Sequence, residues 1–550
     1  MSAAAEVSRK RRKRKRKKRR KKQAPSPTGV PQPPSPPPPT KHKHVLGYAD
    51  PGDGLVREVV EWRDEPQDPA QVPPRPLPAP QTPGAPAAPQ PFGVYSGPFG
   101  RVQAKRLLDR AGFGPRPGQA LALSQLGLTA AVHSLTRPAG SPTLTGPAPV
   151  DQDGRPIAPA DQWGHDHLWW LDRMIRSDQQ LVERMALVFH DWFATSVAGV
   201  DKQQQLIDQS NLFRAGCFGS FLDLTVNVTK DPAMLQWLNG NENRKNAPNE
   251  NYARELMELF TLGADRQPTP AYTENDIREA AKALTGWRND WSSELGTHNF
   301  RFDPSRHSNA NKAIFSGAGS TFNVNPVANW NWNDVPRLCL EHPLHASFFV
   351  DKLWSYFVPQ PPSDDTRDAL IGIYKGSGYG IRPVVEAVLM HPDLYLGPPM
   401  VKPPVVQVAS MLRALGRGVD DDSWAWLCQL MGQQLFWPPN VSGWDDTRWL
   451  DTSTMKARWI AATYALDSAY YDPWVANAYD PAEAADPALD KALAVWDYPP
   501  MRSEQQGELA GFSRDAFPLS LADWQRAPYR AMRQNALRQL IAMSPDMLLA

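Results

Sequence analysis

From Arg101 onward, apolar residues recur every three or four positions, the period of helices that bury one face. Val102–Ala111 reads as a helix ended by Gly112, and Trp163–Arg176 as another. Ser177 reads as the cap of the next helix, with Gln180 three residues later completing a capping box. Asp231-Pro232 supplies an N-cap and a first-turn proline, and Asn239-Gly240 the stop. Pro248-Asn249 opens a helix over 250–260 closed by Gly263, and Thr273 caps Glu274–Leu284. Further helices are predicted at 345–357, 365–374, 381–390, 402–415, 424–434, 454–468 and 527–542. Alternating strand patterns are nearly absent. Residues 286–335, rich in Asn, Trp and Gly, lose the helical period and read as a long irregular insertion, a length of loop that usually carries function. The pattern predicts a mainly α fold: one large multi-helix domain over 99–550 with a long loop insertion.

Before Phe99 the texture is different. Arg9 to Lys22 is an unbroken run of fourteen Lys/Arg, which self-repulsion keeps extended, and residues 23–40 are Pro/Ser-rich. Residues 1–44 are therefore expected to be a disordered tail and 45–98 a Pro/Ala-rich linker. Within that linker, Val45–Tyr48 and Leu55–Trp62 flank ADPGDG as a short hairpin or a docking segment.

Charge sharpens the division. Residues 1–44 hold 16 Lys/Arg and one acid, leaving 44 Lys/Arg against 57 Asp/Glu in the rest: an acidic body behind a basic tail. The run from Arg9 to Lys22 suits any polyanion, whether nucleic acid, anionic polymer or anionic lipid, and no aromatic interleaves it for base stacking. No apolar stretch is long enough to span a membrane, and no apolar h-region follows the basic start. A cytoplasmic or a peripheral envelope location both remain open. The three cysteines, Cys217, Cys339 and Cys428, form no CxxC pair and read as buried free thiols.

Seven segments together resemble the domain-of-unknown-function family 1800. They are AKRLLDRAGFGPRPG (104–118), ERMALVFHDWFATSV (183–197), TKDPAMLQWLNG (229–240), PNENYARELMELFTLG (248–263), YTENDIREAAKALTGW (272–287), MVKPPVVQVASMLRALG (400–416) and MGQQLFWPPNVSGWDDTRWL (431–450). The resemblance implies a helical fold and no settled activity, and it suggests a protein of family 1501 as a partner. This chain departs from it twice. His190-Asp191-Trp192-Phe193 stands where the family often has His-Asn-His-Phe, and His307-Ser308 where it often has His-Asp. The family retains a His and a Lys near the spacing of His307 and Lys312.

Helix 250–260 carries the strongest candidate chemistry. Glu250, Arg254 and Glu258 fall on one line at i, i+4, i+8, while Glu255 falls beside the apolar face next to Asn251. A half-buried carboxylate there has a raised pKa unless a cation pairs with it. It serves either a buried ion pair between helices or a catalytic centre built from Glu255, Arg254, His190 and His307. On this periodicity, losing Glu255 should cost more stability than losing Glu258. Glu183 and His190 stack on one line of the preceding helix but lie about 10.5 Å apart in rise, too far to share a metal ion. No metal site and no cofactor motif is predicted: GxSxG, GxxxxGK[ST], GxGxxG and HExxH are all missing. Asn249, Glu250, Asn251, Glu183 and Lys312 are candidate binding residues. Trp330, Trp332 and Trp444 lie in Trp-rich stretches that suit either sugar stacking or loop packing.

Three function classes follow. The first is an accessory or interaction protein of a bacterial envelope or surface assembly that contacts a polyanion through the tail. The second is a hydrolase-like enzyme with a buried Glu/Arg/His centre, and the third a glycan-binding module using the Trp-rich loops.

Overall fold

A computed structural model of the chain describes residues 42–49, 57–63, 91–159, 164–264, 269–317, 320–475, 479, 483–516 and 523–550. The basic run Arg9 to Lys22 and the rest of 1–41 lie outside them. The chain divides into two units, Met1–Gly84 and Ala85–Ala550. In the first, strands His42–Ala49 and Arg57–Arg63 pair antiparallel, with His42 opposite Arg63 and a register shift between Val45 and Gly47. The first strand thus begins inside the stretch assigned to the tail.

The second unit is mostly helical, with one continuous buried core that runs from Tyr95 to Met547. Five tryptophans, Trp170, Trp192, Trp354, Trp424 and Trp496, are almost fully buried in it. Local capping signals set several helix starts. The Asp231 carboxylate accepts from Met234 N–H, and Thr273 forms a capping box with Asp276. Asn239 ends its helix at φ 57°, in the left-handed region.

Several expectations are corrected. Ser177 does not cap helix Gln180–Trp192. Its hydroxyl accepts from Gln179 N–H, and Gln179 itself is the N-cap with no side-chain bond. Helices Leu128–Thr136, Gln203–Gly216, Phe221–Thr229, Ala485–Val495 and Ser503–Asp515 carry weak sequence signals and were not predicted. The insertion is not irregular throughout: Trp287–Ser292 and Gly296–Phe302 form an antiparallel hairpin. A register shift between Arg288 and Asp290 breaks the two-residue period that would have marked the strand. The insertion is also fastened. Lys312 is fully buried, and its Nζ donates to Ser308 O (2.6 Å), Asn329 Oδ1 (2.7 Å) and Trp330 O (2.8 Å).

The most consequential correction lies in 250–260. The α-helix covers only Asn251–Glu255 and then widens into a π-helix over Leu256–Thr261. Three side chains from other elements capture the carbonyls at its end. Lys352 Nζ donates to Leu259 O (3.0 Å), Trp192 Nε1 to Phe260 O (3.0 Å) and His345 Nδ1 to Thr261 O (2.8 Å). These satisfy carbonyls that a helix end leaves orphaned. Among the described residues no hydrogen bond or ion pair joins Glu258 to Arg254. The Arg254 guanidinium instead binds both carboxylate oxygens of Glu274 at 2.8 Å, and Glu250 at 3.4 Å.

Candidate functional site

Helix Gln180–Trp192 has two faces with different fates. Leu181, Met185, Phe189 and Trp192 enter the core. Arg184, Leu187, Val188 and Asp191, at i, i+3, i+4 and i+7, share a stripe that lines a cavity of about 620 Å³. Lys352 and Tyr356, at the end of helix His345–Ser355 and just beyond it, form a second wall. Segment 399–403 and the loop from Gln433 to Trp449 complete it.

These walls are held by charges that lie behind them. In helix Arg101–Ala111, Arg106 donates to Gly397 O (2.7 Å) and Pro398 O (3.0 Å), and Arg110 to Pro398 O (3.0 Å) and Phe357 O (2.5 Å). Asp109 pairs with Lys105 (2.5 Å) and Lys402 (3.2 Å), all three buried. Arg458 donates to Lys402 O (3.1 Å) and Trp449 O (3.0 Å). Segments 104–118 and 400–416 thus form a scaffold for the cavity.

Within the cavity Asp191 is the centre. Its Oδ1 accepts from Trp444 N–H (2.9 Å) and its Oδ2 from Tyr356 OH (2.8 Å). Gly443, at φ +92°, allows the first contact, because a Cβ there would overlap the Asp191 carboxylate. Burial pushes the Asp191 carboxyl up, with Asp446 adding to that; the Trp444 and Tyr356 hydrogen bonds and the Lys352 ammonium pull it back. Burial and the adjacent carboxylate raise the Tyr356 phenol well above its ordinary value. Burial lowers the Lys352 ammonium to about 8 against the pull of Asp191, and its Nζ stands 4.8 Å from the Trp192 ring centroid. Arg184 is only 4 % exposed, and its Nε and Nη1 have no hydrogen-bond partner. An amine that exchanges protons near neutrality beside a carboxylate–phenol pair is equipped for general acid–base work. No histidine lines this cavity, and the Ser355 hydroxyl donates to Lys352 O (2.8 Å), so no serine–histidine pair is set up in it.

The residues singled out from sequence are dispersed. No hydrogen bond or ion pair joins any two of Glu255, Arg254, His190 and His307 among the described residues. Glu255 is half-buried and has no hydrogen bond or ion pair among the described residues; burial and then Glu258 raise its carboxyl, against the pull of Arg254. His307 bonds through Nδ1 to Thr285 O (2.8 Å) and packs on Phe302. His190 lies directly behind the cavity, its ring 5.3 Å from Trp170, 5.4 Å from Phe436 and 5.4 Å from Trp444, and burial lowers it to about 3. Glu183 is clasped between Arg173 Nε and Arg214 Nε, both at 2.8 Å.

Asn249 Oδ1 accepts from Asn251 N–H (2.9 Å), and Asn249 lines a separate polar cleft with Arg244 and Arg306. Trp332 packs edge-on against Trp287 (5.1 Å), and Trp330 stacks under Arg337 (5.6 Å). Of the three candidate tryptophans only Trp444 reaches the cavity. Among the described residues no three His, Cys, Asp or Glu side chains gather as a metal site.

Sequence reasoning missed Arg184, Asp191, Lys352 and Tyr356 as a group. The signal available was the 184–187–188–191 spacing, in which a cation and a carboxylate bracket two aliphatic residues on one helix face. Set against known proteins, the chain matches the family described as "Protein of unknown function (DUF1800)" over residues 106–549. No curated protein and no solved structure matches it.

Proposed function

The chain belongs to the DUF1800 family, and on that premise we propose that the cavity between helices 180–192 and 345–355 is an acid–base active centre for a small molecule. The observation that carries this is the Asp191 carboxylate, tied to the Tyr356 hydroxyl and the Trp444 amide, facing a half-buried Lys352 in an open cavity. Perturbed titrating groups gathered in one concave, mostly apolar site are what such chemistry requires. Lys352 acts as the proton acceptor, and the Asp191–Tyr356 pair sets its field. A site near Glu255 lacks this support, because Arg254 is occupied by Glu274 and Glu250.

The test is turnover of a panel of small carbonyl, ester and amide compounds by the wild type, Asp191→Asn and Lys352→Met. The expected loss in the variants is about 10²- to 10⁴-fold. The wild-type rate should fall as pH drops below about 8, where Lys352 becomes protonated. Variants as active as the wild type, or a wild type inert to the whole panel, would count against the proposal. The sequence-based reading of an accessory envelope protein concerns a different part of the chain. The run Arg9 to Lys22 would tether the body to a polyanion, with the cavity working at that location.

A further inference from the structure

Arg184 is anomalous in a body whose other deeply buried arginines are engaged. Arg110 spans two carbonyls, Arg413 binds Gly114 O (3.0 Å) and Ile175 O (2.6 Å), and Arg214 binds Glu183 (2.8 Å). Arg184 is equally buried, yet among the described residues Nε and Nη1 meet no acceptor and no ion pair reaches it. A guanidinium stays charged at any ordinary pH, so such placement costs stability unless something anionic fills the space. Arg184 lines the cavity, and Nη2 is the guanidinium nitrogen not closed off from it. Trp444 and Trp449 also line the cavity, with their indole N–H groups turned away from solvent and without an acceptor among the described residues. The wall between them is mostly apolar, built from Leu187, Val188, Pro399, Met400 and Val401.

Unfilled donors around apolar surface describe their complement. The ligand is rich in acceptors at one end and apolar along its body. A phosphoryl dianion in such surroundings would call for more than one free cation, and Lys352 is already tied to Leu259 O and drawn to Asp191. A single carboxylate matches one guanidinium fork with two oxygens. We infer that Arg184 is the substrate anchor of this cavity and that the ligand is a small monocarboxylate with an apolar body, received by the Arg184 guanidinium. This deepens the reading of the cavity as the functional centre and depends on it.

The experiment is thermal melting and calorimetric titration of the full chain with hexanoate, benzoate and phenylacetate, using benzamide and inorganic phosphate as controls. The carboxylates should raise the wild-type melting temperature, and the two controls should not. Arg184→Met should weaken carboxylate binding about 10- to 100-fold. Without ligand, its melting temperature should equal or exceed that of the wild type, because an unpaired buried cation has been removed. Arg184→Lys keeps the charge without the fork and should bind at an intermediate level.

A marked fall in the ligand-free melting temperature of Arg184→Met would make the arginine a structural strut and overturn the assignment. A response to phosphate but not to carboxylates would replace the ligand class, and no response to any carboxylate would refute the anchor. Carboxylate binding without turnover would instead leave the anchor standing and remove the catalytic reading.

Discussion

Glu183 and Arg184 are neighbours on one helix, both buried, and their surroundings are opposite. Glu183 enters a saturated cluster in which Arg173 and Arg214 each take one of its oxygens. Arg184 lines the cavity, and its Nε and Nη1 have no hydrogen-bond partner among the described residues. The same contrast separates the scaffold from the site at large. The Asp109–Lys105–Lys402 cluster and the arginines of helix 101–111 spend their donors on carboxylates and backbone carbonyls, which fixes segment 397–402. The cavity they support retains unspent donors. Buried charge in a scaffold is satisfied internally, whereas a binding site leaves part of that satisfaction to its ligand.

The sharpest way to break this comparison is Glu183→Gln. It strips the charge partner from Arg173 and Arg214, whose side chains are only 19 % and 8 % exposed. Breaking one side of a buried ion cluster costs about 3–5 kcal/mol, so denaturant unfolding should show a large loss. Adjacent Arg184→Met should show none. Equal effects at the two positions would dissolve the distinction between scaffold and site.

A smaller effect is expected at Gly443. An alanine there would carry a Cβ into the Asp191 carboxylate while holding φ +92°, a conformation L-residues resist. The loop must shift, and the Trp444 N–H then leaves Asp191. Gly443→Ala should cost about 1–2 kcal/mol and reduce carboxylate binding with it, as read by melting and titration of the same variant. Stability lost with binding intact would place Gly443 in the scaffold.

How far this division could be read from sequence depends on the range of the interaction. Asp231 and Thr273 cap helices through atoms three residues away, so both caps were legible. The π turn was not, because its cause is three donors, Lys352, Trp192 and His345, that arrive from distant segments. The hairpin at 287–302 was hidden by its own bulge. The Asp191–Tyr356 bond joins residues 165 apart, and a lone Arg or Asp on an amphipathic helix reads as the solvated face. Family resemblance marked segments 183–197, 400–416 and 431–450, and all three prove to line one cavity. It drew attention first to the motif at 248–263, whose end instead supplies the carbonyl that holds Lys352.

The smallest predicted effect belongs to that motif and reverses the expectation drawn from periodicity. A helix continuing to position 260 would have made Glu255 the costlier carboxylate to lose. Glu255 instead has no ion-pair partner among the described residues, lies half-buried and is raised by burial and by Glu258, which outweigh the pull of Arg254. Its folded pKa therefore exceeds its unfolded value, so its ionised form is the disfavoured one in the native state. Any stability it contributes is present at low pH and is lost as pH rises through the folded pKa. Glu255→Gln should accordingly match the wild type near pH 3 and gain roughly 0.2–0.5 kcal/mol at pH 7. Paired melts at the two pH values measure it. A loss of a kilocalorie or more at pH 7 would mean that Glu255 has a cationic partner in solution, and would return the motif to the role of a charged centre beside the cavity.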